Sequence, residues 1–350
     1  MSENDDKYRA ALAALEEHGS KNKAAKALGM PRTTLRRHID KAALLGLSAE
    51  SPISGIEIED IPSGDLPVEE ILDMRERRFR RAKRHQQAKK WRKVKIPSDL
   101  PYAIALVGDV HIDDDGCNIP ALRSDLKTMA ETDGMYAVNL GDSHNGWPWA
   151  GRLARLYADQ DTSRATAIRM VEWLFAESGV TWAAIILGNH DLFVGDGDIL
   201  KFLGRGAALT TEKWLAELAF VTPNGSECRL AAAHDWPGQS IYNPIHGPMR
   251  KVKFGGGDLP HIVACGHKHN WAIFQHEDPE KDNFIYHAVR SRGYKFLDDY
   301  AKNLGLQDQH HGMTITAVVN PGAATPASFV HCFADVREAA DFLTWLRQRK

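Results

Sequence analysis

The 350-residue sequence has no stretch of eighteen or more apolar residues, so nothing in it reads as a membrane-spanning helix. Its opening, MSENDDKYRA, is polar and acidic where a secretory leader needs a basic start and an apolar stretch. Cysteine is scarce: Cys117, Cys228, Cys265 and Cys332 lie far apart, with no CxxC pair. That excludes a zinc finger or a disulfide framework and sets the expectation of a reducing cytoplasm, with no membrane partner. Strong net charge is lacking too, but the value of −2 conceals an asymmetry. Residues 1–100 hold 21 Lys/Arg against 16 Asp/Glu, and the other 250 hold 23 against 30. A basic front on an acidic body predicts an anionic partner for the front.

Residues 5–47 read as three short helices. Tyr8, Ala11, Leu12 and Leu15 recur at helical spacing, and His18-Gly19 closes the first helix. Ser20 can cap a second helix that runs through Leu28 and ends at Gly29. Pro31 opens a third, to about Leu45, in the first turn, where a missing N–H costs nothing. This third helix carries Arg32, Thr33, Thr34, Arg36 and Arg37. The segment KNKAAKALGMPRTTLRRHID resembles a helix-turn-helix of the homeodomain-like kind, with Ala25 at the close approach, Gly29 in the turn and Leu35 returning to the core. The resemblance implies a DNA-binding domain over 1–47, with those five residues on the recognition helix.

Residues 48–100 are expected to link this domain to the rest. The first part is rich in Pro, Gly, Ser and acids. A basic helix is predicted over 75–95, where 12 of 21 residues are Lys or Arg and Phe79 and Trp91 are interleaved. Such a segment could track phosphates while its aromatics stack on bases.

From Tyr102 the pattern changes. The apolar runs YAIALVGD, YAVNLGD, WAAIILGNHD, RLAAAHD and HIVACGHKH each end in a polar cluster, as strands do in an α/β enzyme whose site gathers at strand ends. Helices are predicted at about 121–131, 152–178, 210–219 and 335–348, with strands at 313–319 and 328–333. The clusters supply Asp109 and His111 as D-x-H, Asp142 in GD, Asn189, His190 and Asp191 in GNHD, His234, and His267 with His269 in GHKH. Mixed His, Asp and Asn donors suit borderline first-row metals.

In that order the set resembles the calcineurin-like metallophosphoesterase superfamily over residues about 102–270. The resemblance implies a two-sheet α/β/β/α sandwich over 101–350 and two divalent transition-metal ions, Mn first, with Fe, Zn or Ni as alternatives. It places Asp109, His111, Asp142 and His269 on one ion and Asp142, Asn189, His234 and His267 on the other, Asp142 bridging. His190 falls at the position of a non-ligand histidine that protonates the leaving oxygen, and Asp191 would orient its imidazole. His144, Asn145, Trp147 and Trp149 follow the bridging aspartate and could touch substrate. His144 stands one residue before the position where nuclease members carry a histidine. Asp113, Asp114 and Asp115 read as a solvated acidic turn or as support for the ligands, and His310-His311 as a surface or substrate-rim pair.

The function so implied is metal-dependent hydrolysis of phosphodiester bonds in DNA, of the nuclease type. One alternative is a phosphatase or cyclic-nucleotide phosphodiesterase with a regulatory DNA-binding front. Another is a DNA-binding regulatory or assembly factor whose hydrolase activity is incidental.

Overall fold

The computed structural model describes residues 3–49, 65–88, 91–146, 161–193, 210–296 and 309–349. Contacts divide the chain into two units, Met1–Arg81 and Ala82–Lys350.

In the first unit, α1 (Glu3–His18), α2 (Lys21–Ala27) and α3 (Arg32–Leu44) pack around Ala11, Ala14, Ala24, Ala25 and Leu35. Four of these five are alanines, so the helices meet closely and the core is small. Ser20 caps α2 by accepting from the Lys23 N–H at 3.4 Å. Gly29 makes the turn at φ +62°, a conformation that glycine adopts without strain. Pro31 lies one residue earlier than expected: it is the extended N-cap of α3, not part of its first turn. A fourth helix, α4 (Val68–Ala88), follows. It ends seven residues before the predicted limit of the basic helix, because Arg92–Lys95 is a strand, β1. Trp91, expected on nucleic acid, is partly buried against an apolar core of the second unit. Phe79 remains exposed.

The second unit holds two six-stranded sheets. One has the order β12-β11-β2-β3-β4-β5, with β2 (Tyr102–Val107), β3 (Met135–Asn139), β4 (Trp182–Leu187) and β5 (Thr210–Lys213) all parallel. The strands β11 (Thr314–Val319) and β12 (Val330–Phe333) close its other edge in antiparallel fashion. The other sheet has the order β1-β6-β7-β8-β10-β9, from β6 (Leu215–Val221), β7 (Glu227–Ala233), β8 (Ile262–Cys265), β9 (Ala272–Asp278) and β10 (Phe284–Arg290). Side chains of both sheets share one core: Ile104, Leu106 and Ile186 from the first meet Leu218, Phe220, Leu230 and Val289 from the second. The alternate residues of β2, Ala103, Ala105 and Val107, face a separate core built with α5 (Ile119–Glu131), α6 (Arg164–Glu172) and α8 (Val336–Gln348). On the far side of the second sheet, α7 (His246–Lys253) helps cover Val263, Tyr286 and Ala288. Both faces of β2 are therefore buried, which explains why its sequence is apolar throughout.

One predicted helix needs correction. Residues 210–219 are not helical: they form β5 and the start of β6, paired with β4 and with β7 respectively. Of the helix expected over 152–178, α6 and a π-helical turn, Trp173–Glu177, are described, and 152–160 lie outside the described residues. So do Trp147 and Trp149 and the linker segment 50–64.

Candidate metal centre

The apolar strands deliver their polar ends to one place. Asp109 follows β2, Asp142 follows β3, Asn189 follows β4, His234 follows β7 and His267 follows β8. Five of the donor residues have left-handed backbone: Asp109 (φ +49°), His111 (+44°), Asp142 (+53°), His267 (+71°) and His269 (+48°). An L-residue in that region is strained by roughly 1–2 kcal/mol. Such strain persists only where the surroundings over-determine it, and it concentrates at functional sites. Gly188 and Gly266 permit the loops to close, since a Cβ on either would collide with the carboxylate of Asp142 or Asp109.

Donor atoms converge in three overlapping groups, each within 4.8 Å: Asp109 with His111 and His269, His111 with Asp142 and His190, and Asp142 with His234 and His267. Hydrogen bonds behind the rings set their tautomers. His234 Nδ1 donates to the Leu140 carbonyl at 2.9 Å, which turns Nε2 into the site. There Nε2 lies 3.2 Å from Asp142 Oδ2, 2.9 Å from Asn189 Oδ1 and 3.0 Å from His267 Nδ1. His111 Nδ1 donates to Asn145 Oδ1 at 2.9 Å, and its Nε2, like Asp109 Oδ1, is buried without a hydrogen-bond partner. Lone pairs crowded together out of water repel one another unless a cation sits among them.

The proton affinities agree with that reading. Burial lowers His111 well below its ordinary value and His269 to about 4, so both present lone pairs. Burial likewise lowers His267, with the neighbouring His234 adding to the effect. Burial, reinforced by the charge of Asp142, lifts Asp109 to about 7 against the pull of His234. Burial also disfavours charge on His234, but the charge and hydrogen bond of Asp142, with Asp109, outweigh it and raise His234 to about 9. The protein alone thus balances its buried carboxylates with a proton at a position suited to a metal cation. The donor set, the two orphaned buried atoms and the outward-turned Nδ1–H groups fit a site that could hold divalent metal.

Several expected roles change. Asp191 does not reach for His190: its buried carboxylate accepts the main-chain N–H groups of Asp142 (2.8 Å), Ser143 (3.0 Å) and Gly188 (2.9 Å). His190 Nδ1 instead donates to the Asn145 carbonyl at 2.6 Å. His144 and Asn145, expected to touch substrate, are buried. His144 Nδ1 accepts from the Gly146 N–H at 2.9 Å. The Asn145 amide links His111 to Asp114, donating to Asp114 Oδ2 at 3.0 Å, and Lys295 Nζ pairs with that same oxygen at 2.9 Å. Asp113 accepts from the Asn145 N–H at 2.7 Å, so two of the three acidic-turn residues hold Asn145, which in turn holds His111.

Of the histidines that compete with His234, His246 begins α7 and His261 Nδ1 accepts from the Arg229 N–H at 3.0 Å, so neither joins the cluster. His310 and His311 are exposed and line a pocket of about 60 Å³ with Asp125, Asp335 and Arg337. Arg290 belongs to none of the sequence motifs. It is fully buried and its guanidinium donates to the carbonyls of Gly266 and of Pro244 (2.9 Å) and to Asp235 Oδ1 (3.3 Å), tying together the loops after β7 and β8. A lone arginine closing the apolar strand FIYHAVR was the available signal.

Arg32, Thr33, Arg36 and Arg37 are exposed along α3, and Thr34 is half-buried. Arg36 lies 3.7 Å from Asp40 one turn on, an exposed pair of little energetic weight.

Residues 12–41 match the helix-turn-helix family described as "Bacterial regulatory protein, Fis family". The match covers the end of α1, α2 and most of α3, and it indicates a helix-turn-helix DNA-binding domain at the N-terminus, of the Fis type where a homeodomain-like one was expected. No curated protein sequence matches the chain. Among solved structures it is similar to "GAP50 the anchor in the inner membrane complex of Plasmodium", with 11% identity and a TM-score of 0.34 over 71% of this chain and 96% of that one. At that score the likeness carries no argument. Among the described residues no helix is long and apolar enough to cross a membrane.

Proposed function

We propose that the chain is a metal-dependent phosphodiesterase acting on DNA, with the second unit as a metallophosphoesterase domain. The observation that carries this reading is the convergence of carboxylate oxygens and imidazole nitrogens around Asp142, with the Nδ1–H groups of His234 and His111 turned outward. Two divalent cations bound there would supply positive charge against a phosphate ester and acidify water. The residues do the rest. Leu140 and Asn145 orient His234 and His111, Asp191 clamps the loops that carry Asp142 and Gly188, and Arg290 braces the loops of His234 and His267. His190 contributes to the group around Asp142, and its Nδ1–H is held by Asn145, so its Nε2 faces the group and hands a proton to a leaving oxygen only when the ring is doubly protonated. The helix-turn-helix supports DNA as the substrate, through Arg32, Thr33, Thr34, Arg36 and Arg37.

The test is metal analysis together with Mn²⁺-dependent cleavage of linear, nicked and circular DNA, cyclic nucleotides and aryl phosphates, with a chelator control. Cleavage of DNA that requires metal supports the reading; metal-free protein of equal activity, or no hydrolysis of any substrate, refutes it. A second reading, a DNA-binding regulatory factor with incidental hydrolase activity, is favoured by the family match at residues 12–41. It predicts DNA binding that Asp142→Asn leaves intact and no DNA cleavage by the native chain.

A further inference from the structure

The strand β5 ends at Lys213 in one sheet and β6 begins at Leu215 in the other, so the chain changes sheets at the single residue Trp214. That crossing uses left-handed backbone, φ +64°. Glycine would meet the requirement without strain, whereas a bulky L-residue there is an outlier. Burial does not repay the choice, for the side chain of Trp214 is 47% exposed and packs into none of the apolar cores. The position is nevertheless pinned to the metal centre. The Trp214 N–H donates to the Leu187 carbonyl at the end of β4 (3.4 Å), and its carbonyl accepts from the N–H of His234 (3.1 Å). Its ring centroid lies 6.2 Å from that of His234. Phe193 stands in a similar relation to His190, at 4.8 Å between centroids, and is also exposed and outside the cores. Two partly exposed aromatic rings thus adjoin two histidines that meet Asp142.

We infer that Trp214, seconded by Phe193, is a stacking surface for a nucleobase carried on the phosphate that the centre holds. The inference rests on the phosphodiesterase reading and names its substrate as a nucleotidyl ester. An indole offers a flat, weakly hydrated face to any base, so the selection is for nucleotide over alkyl ester and not for one base over another. A strained, exposed tryptophan is then explained by what it binds and not by what it supports.

The test uses the full chain, Trp214→Gly, Trp214→Phe and Phe193→Ala, with Trp345→Ala as an exposed aromatic control on α8. Thymidine 5′-(p-nitrophenyl phosphate) and methyl p-nitrophenyl phosphate are compared in Mn²⁺, so the leaving group is shared and a nucleoside stands in place of a methyl group; the Trp214 variants then separate the base's stacking from the sugar's contribution. Trp214→Gly should lower the ratio of kcat/KM for the thymidine ester to that for the methyl ester about 5- to 150-fold, the usual span for one stacked base. Trp214→Phe should keep most of the ratio, Phe193→Ala should lose a smaller part of it, and Trp345→Ala should leave it unchanged. Glycine relieves the backbone strain, so Trp214→Gly should melt no lower than the native chain. A second readout needs no turnover: adenosine 5′-monophosphate should quench tryptophan fluorescence in the native chain and fail to do so in Trp214→Gly. An unchanged ratio, or identical quenching curves, overturns the inference. If the native chain cleaves neither ester, the phosphodiesterase reading falls, and the nucleotide titration alone decides whether Trp214 stacks.

Discussion

Replacing Asp191 by asparagine separates the two roles that its position allows. Its buried carboxylate accepts three main-chain N–H groups, Ser143 on Oδ1 and Asp142 and Gly188 on Oδ2. Asparagine keeps the size but turns one acceptor into a donor. With the NH₂ facing Ser143 one N–H is left unpaired; facing the other way, two are. The first arrangement costs less. An unpaired buried donor costs about 1–3 kcal/mol, and the two surviving bonds weaken when their acceptor loses its charge, by about 1 kcal/mol each. The sum is about 3–5 kcal/mol. At about 2–4 °C per kcal/mol for a unit of this size, melting should fall by roughly 6–20 °C. The assay is thermal unfolding of the full chain in chelator, so that metal binding does not contribute, together with hydrogen exchange at the amides of Asp142, Ser143 and Gly188. Those three amides should lose protection. If melting stays within about 2 °C of the native chain and protection is unchanged while turnover falls, Asp191 serves His190 and does not clamp the loops.

Asp142→Asn should reduce bound Mn²⁺ from two ions to one or none and abolish hydrolysis, since Asp142 belongs to two of the donor groups; two ions retained with activity intact would contradict the shared role. His190→Gln should slow turnover roughly 10²–10⁴-fold with metal content unchanged, the span for a proton donor; loss of metal in parallel would make His190 a ligand. Stability should fall in acid through His261 and His287. Burial, helped for His261 by Arg229, lowers each to about 4 from an ordinary 6.5. A folded value below the unfolded one gives stability that is complete above about pH 6.5 and lost as pH falls towards 4, by about 2–3 kcal/mol per histidine. Denaturant melts at pH 7.5, 6 and 4.5 measure it, and a flat profile, or the same slope in a variant with both replaced by glutamine, refutes it. Binding of duplex DNA by the full chain should weaken on the order of 10³-fold from 50 to 200 mM salt if about six phosphates are engaged, and Arg36→Ala with Arg37→Ala should reduce the salt slope by about 1 for each phosphate no longer neutralised. No binding at 50 mM salt would remove the reason for choosing DNA.

What was legible in the sequence follows from how far apart the partners lie. The helix-turn-helix could be read because Ala25, Gly29 and Leu35 do their work within a dozen residues of one another, and the strand ends because each apolar run is followed at once by its own donor. The stretch 210–219 misled for the converse reason. Leu215, Leu218 and Ala219 fall at helical spacing among good helix formers, yet β6 is held by β1 on one side and β7 on the other, pairings that no window around residue 215 contains. The support of the centre is more distant still. Asn145 acts on His111, 34 residues away, and Lys295 reaches Asp114 across 181. A motif names the ligand; only the fold names what orients it. That distinction governs Asp191, which looks like a partner of the adjacent His190 because the two are neighbours in sequence. Its carboxylate is instead the common acceptor for two loops that begin at different strands, and this is why a residue in the most recognisable motif of the chain had the least predictable role.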